Sequence, residues 1–150
     1  MGRGKPKEHG DPKDRYFLGK PEGNVVVMED VTTTGSSTLR EIAKLSKIDA
    51  NITAVISLTN RNELTPIPGK DDEEVVEKFR KIYESAVGEK YEGPMSVEEA
   101  IFHMGIPYYA LSEARTLLPA MFKKKEIPEP IIRSIEEEFK EYGAIKIKLR

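Results

Sequence analysis

The hydrophobic residues of this chain fall into compact runs whose periods identify the elements. Val25, Val26, Val27 and Met28 form an unbroken, largely β-branched run, the pattern of a parallel strand covered on both faces. A polar stretch from Glu29 to Ser37 follows, and then Leu39, Ile42, Ala43 and Leu45 recur at helical spacing. Asn51–Leu58 (NITAVISL) is a second β-rich run, so the chain reads as strand, loop, helix and parallel strand, joined by a right-handed crossover. Further on, Asp71–Val87 is an amphipathic helix with Val75, Phe79, Ile82, Tyr83 and Ala86 on one face.

Ser96 and Glu99 have the spacing of a capping box, which opens a helix through about His103 that ends near Gly105. Ile106–Leu111 (IPYYAL) is a third strand, and Ser112 caps a helix through about Phe122. Pro128 and Pro130 open a last helix, Ile131–Tyr142, stopped by Gly143. Residues 144–150 alternate Ile145, Ile147 and Leu149 with Lys146, Lys148 and Arg150, as an edge strand guarded by cations does. Near the start, Arg15–Leu18 is a short strand candidate and Lys20–Gly23 a turn, so a hairpin is expected before Val25. Strands alternating with helices predict an α/β protein, a Rossmann-like parallel sheet flanked by helices.

Composition narrows the function more than the fold. The 150 residues suit one domain, and 24 basic against 26 acidic residues, well mixed, give a net charge of −2. No global field points to nucleic acid or to a membrane as partner. There is no cysteine, which excludes disulfides and thiolate metal sites. With no membrane-length apolar run, a cytoplasmic location is expected.

The chemistry is concentrated in the loop after Met28. Glu29 and Asp30 precede Thr32, Thr33, Thr34, Gly35, Ser36 and Ser37, at the carboxyl end of a parallel strand, where open sheets bind ligands. Small hydroxyl residues around a glycine, leading into a helix, offer backbone amides and hydroxyls to an anion, helped by the helix dipole. The paired carboxylates would repel that anion at close range and suit uncharged hydroxyls instead. Phosphate on one side and a diol on the other describe a ribose 5-phosphate. An ordinary helix cap would account for one such hydroxyl, but not for their crowding around one glycine.

This stretch resembles the ribose-phosphate signature of the type I phosphoribosyltransferases, in which an apolar run leads into two acids and a Thr/Gly/Ser loop. The resemblance implies that fold, with Glu29 and Asp30 on the ribose hydroxyls of phosphoribosyl diphosphate. It also places Val31, Thr32, Thr33, Thr34, Gly35, Ser36 and Ser37 in the loop holding the 5-phosphate. Thr32 stands where an aliphatic residue is usual. Upstream, residues 3–10 (RGKPKEHG) read by composition as a basic tail, yet are similar to the flexible catalytic loop of orotate phosphoribosyltransferases. The match gives Arg3, Lys7 and His9 catalytic roles on the departing diphosphate. One family lysine falls on Gly4, with Lys5 the nearest substitute for binding phosphoribosyl diphosphate.

After the second strand, TNRNE carries Arg61, which exposure alone would make a solvated loop residue. The resemblance assigns it, with Thr33, to orotate, whose carboxylate a guanidinium fork suits. His103 has no partner at diagnostic spacing and reads as structural. The implied reaction transfers the phosphoribosyl group to orotate, giving orotidine 5-phosphate and diphosphate, in UMP biosynthesis. Magnesium would be bound mainly through the substrate, with no metal site of the protein's own.

The resemblance runs clearly over about residues 3–62 and more loosely to the third strand. It covers the C-terminal half of such an enzyme, with an insertion at about 66–95, placed to cover the site or build a subunit contact, and a helical extension at about 113–150. A homodimer, or a partner supplying the other half, is therefore expected. Two rivals stand beside this reading: a phosphoribosyltransferase for another base, and a non-catalytic or regulatory ribose-phosphate-binding module.

Overall fold

The computed structural model describes residues 21–48 and 50–149. Arg3, Lys5, Lys7, His9 and the expected strand at Arg15–Leu18 lie outside the described residues. Among the described residues the elements run β1 (Gly23–Thr32), α1 (Ser36–Leu45), β2 (Ala50–Asn60), α2 (Glu73–Val87), α3 (Val97–Phe102), β3 (Tyr108–Glu113), α4 (Ala114–Lys124) and α5 (Glu129–Tyr142). The strands form one parallel sheet in the order β1-β2-β3, with Met28 beside Ile56 and Ile56 beside Tyr109. The α/β architecture and parallel pairing are those the sequence pattern predicts.

One face of the sheet carries the core. Val27 and Val55 meet Leu39, Ile42 and Leu45 of α1, Phe79 and Tyr83 of α2, Tyr91, and Val97, Ala100 and Ile101 of α3. Fully burying one of the larger of these side chains contributes roughly 1.5–3 kcal/mol. The stretch at 66–95 is thus part of the core: α2 packs on α1 through Phe79 and Tyr83. The Tyr91 ring lies 5.1 Å from that of Phe79, and its hydroxyl donates to the Pro66 carbonyl at 2.7 Å. His103 Nδ1 pairs with the Tyr83 hydroxyl at 2.7 Å.

Four local expectations are corrected. Among the described residues no helix covers the second sheet face, where Val26 (48% exposed), Met28 (68%), Tyr109 (58%) and Leu111 (73%) stand open. The apolar run shows that both faces of β1 are apolar, and contiguity in sequence cannot supply a cover. On α2, Val76 is buried and Val75 exposed, because the helix turns its Val76–Phe79–Tyr83 stripe inward. Ser112 does not cap α4: β3 runs on to Glu113, and the Ser112 hydroxyl donates instead to the Leu58 carbonyl at 2.8 Å.

Residues 144–149 form no strand. Gly143 makes an isolated antiparallel bridge with Glu63, and the Leu149 amide donates to Glu136 Oε1 at 2.8 Å. That segment is tied to α5, with Leu149 buried, so its alternation serves packing on a helix rather than a ladder.

Candidate functional site

The residues singled out after Met28 gather at the carboxyl edge of β1 and β2. Glu29, Asp30, Val31 and Thr32 end β1, Thr33–Gly35 turn, and Ser36 and Ser37 open α1. Gly35 is the N-cap at φ 80, a left-handed backbone that glycine adopts without penalty. Its carbonyl accepts from the Leu39 amide at 2.9 Å. No side chain caps α1, so the amides of its first turn have no side-chain acceptor there. Its first turn holds no acidic residue of its own. Thr34 and Ser36 join their hydroxyls at 3.1 Å and so hold the loop together.

Glu29 and Asp30 differ in surroundings. Glu29 Oε1 accepts from the Ser37 hydroxyl at 3.1 Å, which orients its carboxylate across the loop. Partial burial pushes the Glu29 carboxyl above its usual range, and the negative charges of Asp30 and Glu41 push the same way. The hydroxyls of Ser37 and Thr38 oppose that shift in part. Asp30 is exposed, and its Oδ1 accepts from the Val31 amide at 2.8 Å. The pair therefore presents one held and one solvent-facing carboxylate, acceptors suited to a vicinal diol.

Thr32 is 1% exposed, and its hydroxyl makes no hydrogen bond of ordinary geometry. Burial raises the nearby Tyr108 phenol, which the Thr32 and Ser57 hydroxyls partly offset, although the Tyr108 hydroxyl likewise completes no hydrogen bond. Thr32→Val keeps the volume and removes an unpartnered buried oxygen. It is expected to stabilise the fold by about 1 kcal/mol, read as a rise in the urea midpoint without a change of slope.

Arg61 follows β2 directly and is brought to the loop by its backbone, the Arg61 amide donating to the Thr32 carbonyl at 2.9 Å. Its side chain is half exposed. The guanidinium Nη2 reaches Glu63 Oε1 at 2.6 Å and Glu138 Oε1 at 3.4 Å. Burial raises the Glu63 carboxyl; Arg61 draws it back and Glu138 pushes it further up.

Sequence reasoning missed the supports of this arrangement. Asn62 sits at φ 57 and is buried, with its amide donating to Asn60 Oδ1 at 2.8 Å. Its Oδ1 accepts from the Arg115 amide at 3.2 Å and its carbonyl from the Ala144 amide at 2.8 Å. No residue spacing signals these bonds, but an asparagine next to a strand end is a residue that tolerates the left-handed region. Glu138 on the Arg61 guanidinium is likewise a contact made over long sequence separation. Nearby, a cavity of about 170 Å³ lined by Asn60, Asn62, Glu63, Glu98 and Arg115 opens beside the arginine loop rather than on the hydroxyl loop.

These features define an α/β protein with a ligand-type loop at the carboxyl edge of a parallel sheet. Known proteins make the likeness specific. The chain is 38% identical over 68 residues to the orotate phosphoribosyltransferase of Bradyrhizobium sp. strain BTAi1, covering 41% of this chain and 35% of that protein. It is 37% identical over 65 residues to the orotate phosphoribosyltransferase of Rhodopseudomonas palustris strain TIE-1, with the same coverage of 41% and 35%. The UMP synthase structure of Leishmania donovani matches with a TM-score of 0.51 at 16% identity, covering 83% of this chain and 21% of that one. This last likeness concerns the fold.

No family model matches. The resemblance to type I phosphoribosyltransferases, and within them to orotate phosphoribosyltransferase, extends over about 41% of the chain. The chain spans about a third (35%) of the length of the curated relatives it matches. No helix among the described residues is long and apolar enough to cross a membrane.

Proposed function

We propose that this chain binds phosphoribosyl diphosphate and acts in orotate phosphoribosyltransferase chemistry, giving orotidine 5-phosphate and diphosphate in UMP biosynthesis. The observation that supports the reading is the joining of the two loops: the Arg61 amide donates to the Thr32 carbonyl at 2.9 Å, so the backbone of the arginine loop adjoins the end of the strand that carries the acid pair. In this reading Glu29 and Asp30 accept from the ribose hydroxyls, and Thr33–Ser37, with the first-turn amides of α1, hold the 5-phosphate. Thr33 and Arg61 take the base, with the guanidinium on its carboxylate.

Arg3, Lys7 and His9, with Lys5, would act on the diphosphate, where negative charge accumulates as the glycosidic bond breaks. Among the described residues no group of three or more His, Asp or Glu could hold a metal ion. The oxygen donors of Glu29 and Asp30 are of the hard type that magnesium accepts, and the ion would enter on substrate oxygens, shielding charge on the diphosphate. Such an assembly would be a homodimer or would include a partner bearing the rest of the fold, in the cytoplasm.

The rival reading is a ribose-phosphate-binding module without turnover. The two separate in one assay. Orotate, phosphoribosyl diphosphate and magnesium are expected to yield orotidine 5-phosphate, and binding of the sugar without product would establish the second reading. Arg61→Ala is expected to lower kcat/KM for orotate by roughly 10- to 100-fold, the loss of one charge-assisted contact. Equal loss with uracil would show that Arg61 does not act through the orotate carboxylate.

A further inference from the structure

The Arg61 guanidinium already carries a carboxylate from the far end of the chain. Its Nη2 lies 2.6 Å from Glu63 Oε1 and 3.4 Å from Glu138 Oε1 on α5, so one nitrogen serves two acids. The acids are unequally held: the Glu63 side chain is 20% exposed and that of Glu138 55% exposed. Glu138 is the longer and more solvated of the two contacts.

Its position is nonetheless fixed by the fold. One turn beyond Glu138, the Tyr142 carbonyl accepts from the Leu64 amide at 2.8 Å, and the Ala144 amide donates to the Asn62 carbonyl at 2.8 Å. Lys70 Nζ donates to the Glu141 carbonyl at 2.7 Å and stands 4.2 Å from the centre of the Tyr142 ring. The end of α5 is therefore pinned to the loop that carries Arg61. The Glu138 side chain can leave by rotamer change while its helix stays in place.

We propose that Glu138 is an internal competitor for the anionic group of the substrate. It occupies the Arg61 guanidinium when no anionic base is bound, and it must swing into solvent for a carboxylate-bearing pyrimidine to take its place. The proposal rests on the reading of Arg61 as the residue that grips the base. Two acids on one guanidinium leave the spot net negative, so an incoming carboxylate meets repulsion until Glu138 departs. A neutral base has no such contest.

The test titrates orotate and uracil into the full chain, its Glu138→Gln variant and its Arg61→Ala variant, followed by ligand-observed NMR. Glu138→Gln is expected to tighten orotate by about two- to fivefold, the worth of one exposed ion pair, and to leave uracil unchanged. If Arg61→Ala weakens orotate alone while Glu138→Gln changes nothing, the competition is overturned and the role of Arg61 stands. If Glu138→Gln shifts both ligands alike, the effect is structural and the competition is again overturned. If Arg61→Ala leaves orotate unaffected, or the unaltered chain binds no orotate, the reading of Arg61 falls and this proposal with it.

Discussion

Replacing both acids, Glu29→Gln with Asp30→Asn, is expected to weaken phosphoribosyl diphosphate binding by roughly 10²- to 10⁴-fold without unfolding the protein. Each carboxylate would accept from a sugar hydroxyl, and a charge-assisted hydrogen bond is worth about 1.5–3 kcal/mol. The two amides keep the shape and lose the charge. Stability should move the other way. Burial raises the Glu29 carboxyl, so the folded state binds its proton more tightly than the unfolded state does. The stabilising contribution of that proton is fully present below the unfolded pKa and is lost as pH rises through the raised folded one.

At neutral pH the ionised Glu29 therefore costs stability, and Glu29→Gln should melt no lower than the unaltered chain. Affinity for the sugar should fall as pH drops through the raised Glu29 pKa, because the protonated group is a poorer acceptor. Isothermal titration beside thermal melts, both across acid pH, reads the two signs together. Lost affinity together with a lost fold would show that the acids are structural.

The second large effect is expected at Gly35. An alanine there must adopt φ 80, and its Cβ would lie 2.5 Å from Val97 Cγ2. The left-handed backbone costs about 1–2 kcal/mol for a residue with a Cβ, and overpacking adds about 1–3 kcal/mol. A loss of roughly 2–5 kcal/mol should lower Tm by roughly 5–15 °C for a chain of this size. Gly35→Ala combined with Val97→Ala separates the terms, since it removes the clash and leaves the backbone strain. The double variant should be more stable than the two single effects added together, and simple additivity would show that the two residues do not press on each other.

That coupling also marks the boundary of what local pattern can reveal. Gly35 was legible as the centre of a hydroxyl loop, because turn chemistry and helix initiation depend on neighbours in sequence. The demand that it carry no Cβ comes from Val97 on α3, and no periodicity brings residues 35 and 97 together. Asn62 shows the same limit: its left-handed backbone and buried amide serve Asn60, Arg115 and Ala144 at once. The misplaced terminal strand is a related case. Alternation in AIKIKLR is compatible with a sheet edge or with a strip lying on a helix, and the Glu136 carboxylate on the Leu149 amide favours the second.

By itself the sequence determined the order of parallel strands and helices, the acid pair and the hydroxyl loop at the end of β1, since these follow from period, chain direction and local caps. Only the tertiary structure decided that one sheet face stays open among the described residues, that residues 66–95 join the core, and that α5 lays Glu138 on Arg61. Those outcomes depend on which surfaces meet at long sequence separation, a matter of shape and burial that the local pattern of side chains does not encode.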